Sequence, residues 1–500
     1  MAQKLSDLSQ FEQQSKQRKK EIRESVDQLS ITGTTYYVSG NGDDANSGLS
    51  PQHAWKSLAR VSSADLRRGD GVLFERGGLF RGMIRTRPGV SYGAYGTGEK
   101  PRLYGWDENL ADASLWTLVD EEHHIWKMSR RILDCGTLVF NEGEAHCRKL
   151  IPSYRNGIFV CRDDESKPFV MANEMTQNLD LFWFFDDLLT TEPSKGENFP
   201  IPDMTLESYG DLYLRCDQGN PGECFASIEA LTRRPMFAVG SDDHVSIDNL
   251  CLKYIGLHGI AAGGHVVGLH VTNCEIGWIG GTIQHYLGTD PNYPQGRRGT
   301  VTRYGNGIEI YGGCEDYLVA NCYVYQAYDA GITHQITTNG VHHELTGVRY
   351  LNNLVEFCVY GIEYFLDMNK GDETSFMKDI EMSGNILRLS GYGWGQQRHN
   401  TDTPALIKGW SYVNAASDYR ICGNLFDRCA YRLLHLVAQK APSCPDMHGN
   451  TYIQNAGGML GQYGANEVAE PDILWFDEAI DSTVRDILGD QKAQIFVAEA

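Results

Sequence analysis

Four acidic residues lie close together in a repetitive part of the chain: Glu309, Asp329, Glu363 and Asp367. Most glycosidases use a pair of carboxyl groups, one as a proton-donating acid and the other as a base or nucleophile. Carboxylates that pack closely also repel each other, which raises the pKa of one of them and prepares it to donate a proton. We therefore predict acid–base chemistry here, with Asp329 and Glu363 as the best pair and Glu309 and Asp367 next.

The spacing of these acids indicates how far apart they lie. Glu309 and Glu363 each follow a Gly-Ile pair, and alternate residues of a strand face opposite sides. If Ile308 and Ile362 point inward, both glutamates point outward, and two strand spacings of ~4.8 Å separate them by roughly 9–10 Å. That distance is near the upper limit of the ~6.5–9.5 Å typical of inverting glycosidases. Asp329, at the turn before the intervening strand, would bring a pair toward the ~5 Å of retaining enzymes. A slip of one residue in the strand register would turn every outward side chain inward and every inward side chain outward.

Polar and aromatic residues suited to hold a sugar surround the acids. Aromatic rings stack on the apolar faces of pyranoses, and the Gly-rich segment 391–399 carries two aromatic residues. We predict these substrate-binding residues: His334, Gln335, Tyr392, Trp394, Arg398, His399, Lys408 and Trp410. His334 has a second interpretation, because strict alternation places it inward with Ile332 unless a bulge turns it out. His342 and His343 are adjacent and would face opposite sides of a strand, so we predict no metal site.

The elements that must position these residues repeat along the chain. An Asn, alone or after Gly, opens a short apolar segment every 24 to 48 residues, at Asn249, Asn273, Asn321, Asn352, Asn385, Asn424 and Asn450. Asn tolerates the left-handed backbone of a corner, and its amide can hydrogen-bond to the Asn above and below. Cys274 and Cys322 occupy equivalent positions and are predicted to stack inward. One such unit cannot bury its apolar face but stacked units can, so we predict an all-β solenoid.

The composition divides the chain into five segments. Residues 1–33 are highly charged with a loose apolar stripe, which predicts an N-terminal helix that caps or docks on the solenoid. Residues 34–105 are predicted to form the first turns and a cap, and residues 237–460 the main solenoid that carries the acids. Residues 106–236 are rich in Trp, Phe and Asp without a repeat, so we predict an inserted β-rich, sandwich-like module. Residues 461–500 are predicted to be a C-terminal tail or cap.

Three segments resemble a known superfamily. Residues 36–81 resemble the opening of bacterial right-handed parallel β-helix proteins of the pectate-lyase-like superfamily. Residues 303–310 and 328–335 are similar to repeats in β-helix glycoside hydrolases, which include α-L-fucosidases, xylanases and β-xylosidases. The resemblance covers about residues 34–460 and excludes the N-terminal helical segment. It implies a right-handed parallel β-helix and a glycosidase that acts on oligosaccharides.

The superfamily leaves other functions open, because a fold does not determine an activity. A polysaccharide lyase or uronate epimerase would need a Lys, Arg or Tyr base, for which Arg303, Arg398 and Lys408 are candidates, and usually Ca²⁺ held by the acid cluster. The chain lacks an Asp-x-Asp calcium loop near the acids, so we expect a hydrolase without a cofactor, with Ca²⁺ only under the lyase alternative. A non-catalytic glycan-binding β-helix is the third possibility.

The charge balance and the cysteines restrict partners and location. The chain has 44 Lys and Arg against 65 Asp and Glu, a net charge of −21, which argues against nucleic acid as a partner. The N-terminus lacks the apolar stretch of a secretory signal, and no segment approaches the ~18 apolar residues of a membrane span, so we predict no membrane partner. Thirteen cysteines without a C-x-x-C pair predict reduced, mostly buried thiols and a cytoplasmic protein. We expect an oligosaccharide or polysaccharide substrate, with homo-oligomer formation left open.

Overall fold

The computed structural model describes residues 2–155, 158–161, 164, 166–177, 181–185, 209–287, 300–398, 404–413, 415–438, 443–465 and 471–499. In this part of the chain, three long sheets of parallel strands form the walls of a right-handed parallel β-helix. Each turn of the coil passes through sheet 1, a tight corner, sheet 2, a second corner and sheet 3. The all-β solenoid fold predicted from the repeat is confirmed.

The strands of each sheet follow one another along the coil. Sheet 1 contains Thr35–Val38, Gly71–Glu75, Ser91–Tyr95, Ser246–Asp248, Val266–Val267, His270–Thr272, Cys314–Ala320, Glu344–Leu351, Phe376–Ser383, Ala416–Cys422 and Asp446–His448. Sheet 2 contains Leu79–Arg81, Arg102–Tyr104, Cys251–Ile255, Glu275–Ile279, Tyr323–Ala327, Leu354–Glu356, Ile386–Ser390, Leu425–Cys429, Thr451–Asn455, Gln494–Ala498 and Gln3–Leu5. Sheet 3 contains Ile84–Arg85, Phe237–Ala238, Ile260–Ala262, Ile308–Ile310, Ala330–Thr337, Tyr360–Asp367, Ala405–Val413, Arg432–Ala438, Met459–Ala465 and the antiparallel Leu474–Trp475.

The corner between sheets 1 and 2 uses two successive positions for two tasks. The first position has a left-handed backbone and holds Asn249, Asn273, Asn321 and Asn352, then Gly384, Gly423 and Gly449. The next position points inward. Cys274 and Cys322 occupy it in two turns, as predicted, and an asparagine ladder occupies it in four later turns. In that ladder each side-chain amide donates to the next at 2.9–3.1 Å, from Asn353 through Asn385 and Asn424 to Asn450.

We expect Asn385→Ala to lower the free energy of unfolding by about 2–4 kcal/mol, because it leaves buried backbone groups without partners. The Asn385 Oδ1 accepts the Asn353 backbone N–H at 3.0 Å, and its Nδ2 donates to the Tyr350 carbonyl at 2.8 Å. Chemical denaturation would measure the change. Asn455→Ala, at an exposed position of the last turns, should stay within about 0.5 kcal/mol of the wild type. Equal effects of the two changes would contradict a structural role for the ladder.

Short helices complete the coil. The described helices are α-helices Ser9–Arg23, Leu58–Ser63, Met171–Gln177, Pro221–Cys224 and Ile480–Ser482, the π-helix Thr483–Ile487, and 3₁₀ helices Pro51–His53, Ala113–Leu115, Asn141–Gly143 and Trp394–Gln397. Leu58 and Ile480 are buried in the main core at its two ends. The helix Ser9–Arg23 docks instead on the outer face of sheet 2, where Phe11 and Ile22 belong to a cluster with residues from six successive strands. Arg23 also pairs with Glu275.

A separate module interrupts the second turn of the coil. The chain leaves sheet 2 after Arg102–Tyr104 and returns to sheet 3 at Phe237–Ala238. The module has a core of its own that includes Trp116, Met128 and Leu212. Its strands are Trp116–Asp120, Ile125–Met128, Ile132–Leu133, Cys135–Phe140, Ala145–His146, Arg148–Leu150, Ser153–Arg155, Ile158–Val160, Leu181–Phe185, Tyr209–Arg215 and Ile228–Thr232.

Two further insertions leave the coil at the same corner, between sheets 2 and 3. One contains the antiparallel hairpin Thr282–Leu287 and Thr300–Tyr304. The other begins with residues 391–398, which contain the 3₁₀ helix Trp394–Gln397. We call this place the insert corner. The inserted module holds the other two insertions, because Asp134 accepts the Ile283 backbone N–H at 2.5 Å and the Cys147 carbonyl accepts from Gln397 at 2.9 Å. The three insertions together form a wall beside sheet 3.

The thiols and helices add two observations. All thirteen cysteines are free, and most are buried, which agrees with the prediction of reduced, buried thiols. In the described residues, no helix combines the length and the apolar character needed to cross a lipid bilayer.

Candidate functional site

The outer face of sheet 3 carries a row of polar residues. Ile308, Ile332 and Ile362 are fully buried inside the coil, so the residues that follow them point outward, as predicted. Pairing between neighbouring strands aligns the row in the order Glu309, Thr333, Glu363, Lys408, His435 and Gln462. We call it the outer row. Glu309 and Glu363 therefore lie two strands, or roughly 9–10 Å, apart.

Asp329 lies at the insert corner, directly before the strand Ala330–Thr337. It is buried and its carboxylate is bonded by the Arg398 guanidinium. Burial, helped by the nearby Glu363, raises the pKa of Asp329 to about 6, even though the charges of Arg398 and Lys408 oppose the shift. A carboxylic acid of this kind holds its proton in weak acid and can donate it near neutral pH.

The Gly-rich segment brings Arg398 to Asp329 because it is fixed on two sides. The Trp394 indole N–H donates to the Gln326 carbonyl at 2.7 Å, on sheet 2. Gln397 donates to the Cys147 carbonyl at 2.9 Å, and the Lys149 backbone N–H contacts its side-chain oxygen at 3.3 Å, both in the inserted module. The module therefore buttresses the segment that carries Arg398.

The prediction that Trp394 is a sugar platform is wrong, because only 1% of its surface is exposed. Its ring packs against Tyr328 at 5.0 Å between ring centroids, and Arg303 covers the Tyr328 ring at 4.4 Å. Tyr392 remains exposed in the same segment, so a contact with substrate there stays a prediction.

Glu363 is held by a cation on the next strand. The Lys408 Nζ lies 2.9 Å from the Glu363 Oε1 and 3.9 Å from the centre of the Tyr360 ring. Burial lowers the pKa of Lys408, but the Glu363 carboxylate and Tyr360 together outweigh burial, and the net shift is upward. Lys408 is therefore protonated and keeps a positive charge beside Glu363.

Glu309 lies among polar partners on the other side of the outer row. Its Oε2 lies 2.6 Å from the His258 Nδ1 and accepts from the Asn306 Nδ2 at 2.6 Å. The Asn306 Oδ1 also accepts the Ala330 backbone N–H at 2.8 Å, which ties this group to the strand that follows Asp329. These contacts fix the orientation of the Glu309 carboxylate.

A second outward row lies two residues farther along the strands. It contains Tyr311, Gln335 and Phe365, which pair across neighbouring strands. Gln335 is buried, and its Oε1 has no hydrogen-bond partner among the described residues. Asp367 lies four residues beyond Glu363 on the same strand, roughly 13 Å away, so the structure does not bring it into the cluster with the other three acids.

His334 is a core residue, so its assignment to substrate binding is wrong. It is fully buried inside the coil, with its Nδ1 2.9 Å from the Tyr350 hydroxyl and its Nε2 3.2 Å from the Tyr419 hydroxyl. Its ring stacks on Tyr364, and burial lowers its pKa to about 3. Strict alternation, without a bulge, explains its inward position.

Two of the predicted substrate-binding side chains are not among the described parts of the chain. His399 is outside the described residues, and Trp410 lies on the strand Ala405–Val413, with its side chain outside the description. The sequence reasoning missed His258, Asn306 and Tyr360 as neighbours of the acids. Each precedes a Gly-Ile pair of the repeat, so the signal that located Glu309 and Glu363 would also have found them.

The site joins a buried carboxylic acid, an oriented carboxylate with a cationic partner, and a third carboxylate fixed by hydrogen bonds. Such a set can donate a proton to a leaving oxygen and support a nucleophile or a water molecule on the other side. Within the described residues, no group of three or more His, Cys, Asp or Glu is arranged to hold a metal ion.

Comparison with known proteins gives a short match and several distant ones. No family model matches this chain. A lacto-N-biosidase from Bifidobacterium longum subsp. longum is 54% identical over 52 residues, which are 10% of this chain and 3% of that protein. The chain therefore matches a small part of the length of this curated relative.

The similar solved structures include glycoside hydrolases. XylC in complex with xylose has a TM-score of 0.39 at 12% identity, covering 84% of this chain and 76% of that one. A GH136 lacto-N-biosidase from Eubacterium ramulus has a TM-score of 0.34 at 14% identity, covering 98% of this chain and 70% of that one. A polygalacturonase from Erwinia carotovora ssp. carotovora has a TM-score of 0.29 at 9% identity, covering 86% of this chain and 94% of that one.

Proposed function

We propose that this protein is a glycoside hydrolase that cleaves oligosaccharides, with Asp329 as the acid and Glu363 as the base or nucleophile. One observation carries the proposal: a buried carboxyl whose pKa is raised to about 6 lies near a carboxylate held by Lys408. Because their surroundings differ, Asp329 is suited to donate a proton and Glu363 to act as a carboxylate, which are the two roles of an acid–base pair.

In this mechanism each neighbour has a defined task. Arg398 orients Asp329 so that its proton faces the glycosidic oxygen that leaves. Lys408 orients Glu363, which attacks the anomeric carbon or removes a proton from the attacking water. Glu309, fixed by His258 and Asn306, lies on the far side of Thr333 and contacts the sugar or the water. The wall at the insert corner excludes solvent and strengthens these charges.

For the substrate we propose oligosaccharides that end in lacto-N-biose. The support is the 52-residue match to a lacto-N-biosidase, whose name states that activity for that protein. The α-L-fucosidase, xylanase and β-xylosidase types suggested by the sequence remain alternatives within the hydrolase class.

The protonation of Lys408 and Arg398 helps to decide between a hydrolase and a lyase or epimerase. Such an enzyme needs a base that removes a proton next to a uronate carboxyl. Lys408 and Arg398 both have raised pKa values because each is paired with a carboxylate, although burial acts in the opposite direction. Both are thus protonated and unsuited to act as the base, which favours the hydrolase.

The test is a screen of the wild-type protein against aryl lacto-N-bioside, α-L-fucoside and β-xyloside, together with uronate polymers. Release of the aryl group and of a free sugar is expected. Ultraviolet absorption of an unsaturated uronate product would make the protein a lyase. Binding of sugars without turnover of any substrate would make it a glycan-binding β-helix.

We expect Arg398→Gln to lower kcat/KM by about 10²-fold, because Asp329 loses its orienting partner. Since Arg398 also lowers the pKa of Asp329, its removal should move the alkaline limb of the pH–rate profile to higher pH. Arg398→Lys should return the limb toward its original position. The control is Arg68→Gln, which breaks an exposed ion pair with Asp243 and should leave the profile unchanged. A lower rate with an unmoved limb would contradict this role.

A further inference from the structure

The outer row continues beyond Lys408, away from Glu309. His435 pairs with Lys408 on one side and with Gln462 on the other. His435 is 6% exposed, and its Nδ1 has no hydrogen-bond partner among the described residues. A buried polar atom without a partner costs free energy, which a ligand hydroxyl at that position would recover.

The surroundings of His435 keep the ring neutral and fixed. Burial, followed by the nearby Arg432 and Lys408 charges, lowers its pKa to about 3, although a hydrogen bond with Gln462 opposes the shift. Gln462 is itself held, because its Oε1 accepts from the Arg432 Nη1 at 2.7 Å and its Nε2 donates to the Pro471 carbonyl at 3.1 Å. A neutral imidazole with one open nitrogen suits an uncharged hydroxyl rather than a carboxylate or a phosphate.

An exposed aromatic residue lies at the end of the same sheet. Trp475 is on the antiparallel strand Leu474–Trp475, opposite Met459, and 49% of its surface is exposed. Its neighbour Leu474 packs against the main core, so Trp475 faces outward. Along the axis of the coil, four strand spacings, or roughly 19 Å, separate its strand from the strand of Glu363, and Trp475 lies to one side of the outer row because it pairs with Met459 and not with Gln462.

We propose that His435, Gln462 and Trp475 form a second sugar-binding tract that holds a neutral oligosaccharide along the axis of the coil. This inference rests on the proposed function, since the tract extends the site at Glu363 toward the C-terminal end of sheet 3. His435 binds a hydroxyl of the first sugar on the leaving-group side of the cleaved bond, and Trp475 stacks on a more distant pyranose ring of the same leaving group. The tract thereby selects chains of several neutral sugars over single glycosides.

The experiment compares two substrates that end in the same disaccharide, an aryl lacto-N-bioside and a longer neutral oligosaccharide. We expect His435→Gln and Trp475→Ala each to raise KM about tenfold for the oligosaccharide and less than twofold for the aryl glycoside. The matched control is His448→Ala, an exposed histidine on sheet 1 in the same part of the coil. Equal changes in KM with both substrates, or no change with the oligosaccharide, would show that these residues do not form a sugar-binding tract.

Binding separates this inference from the proposed function. The same oligosaccharide is titrated into the wild type and the variants by calorimetry, with thermal melting to verify the fold. If the wild type hydrolyses nothing, the proposed function fails, but a binding loss of about tenfold confined to His435→Gln and Trp475→Ala still supports the tract. If the wild type is active and the variants bind as tightly as His448→Ala, the tract is wrong and the hydrolase stands. Trp475→Ala keeps the test valid if His435→Gln does not fold, because Trp475 is exposed.

Discussion

Glu363→Gln should lower kcat by at least about 10³-fold, because an amide can neither attack the anomeric carbon nor remove a proton from water. The change keeps the size of the side chain, and Lys408 can still bond to its oxygen. We expect the loss with every leaving group, including aryl groups that leave without protonation, since Glu363 acts on the sugar and not on the leaving oxygen. Steady-state rates with a good and a poor leaving group measure this.

The control for Glu363 is Glu315→Gln, which removes an exposed carboxylate on sheet 1 in a neighbouring turn of the coil. It should retain wild-type rates. Thermal melting of Glu363→Gln confirms that the fold is intact. Activity that survives in a folded Glu363→Gln variant would move the reacting carboxylate to Glu309.

Asp329→Asn should lower kcat/KM by about 10²–10⁴-fold for substrates with a sugar leaving group, because no proton reaches the departing oxygen. A nitrophenyl glycoside leaves without that proton, so its rate should fall less than about tenfold. The contrast between the two substrates separates the acid from the base, and a similar loss with both would contradict the assignment. Asp418→Asn, an exposed residue of sheet 1, serves as the control.

The pH dependence follows from the same carboxyl. Burial raises the pKa of Asp329 to about 6, and the acid works only in its protonated form. The wild-type rate should therefore fall as pH rises above about 6, by about tenfold per pH unit once the group is ionised. Asp329→Asn should lack this alkaline limb. A wild-type profile that stays flat up to pH 8 would exclude Asp329 as the acid.

The outer row could be predicted because it depends on local rules. A Gly-Ile pair marks the inward residue in each turn, and strand alternation then places Glu309 and Glu363 on one face. Stacking in a solenoid repeats that register from turn to turn, so the direction of one side chain determines the direction of the equivalent side chains in the other turns. The same rule places His334 inward, and the structure follows it.

The partner of Asp329 could not be predicted in the same way, because it comes from an insertion. Arg398 reaches Asp329 from a segment that is held in part by the bond of Gln397 to Cys147, 250 residues earlier in the inserted module. The burial of Trp394 was missed because an inserted Gly-rich segment packs back on the coil, where Gln326 and Tyr328 fix it. Contacts between separate insertions leave no periodic pattern in the sequence.

The docking of the N-terminal segment has a consequence for synthesis on the ribosome. Ile22 belongs to a cluster that includes Ile453, and Gln3–Leu5 pairs with Gln494–Ala498. At a translation rate of about 5–20 residues per second, the last of the helix's partners emerges roughly 20–90 s after the helix itself. During that interval Phe11 and Ile22 have no complete surface to cover them. The helix Ser9–Arg23 is thus made long before the strands that it packs on and reaches its native position only after the last of them.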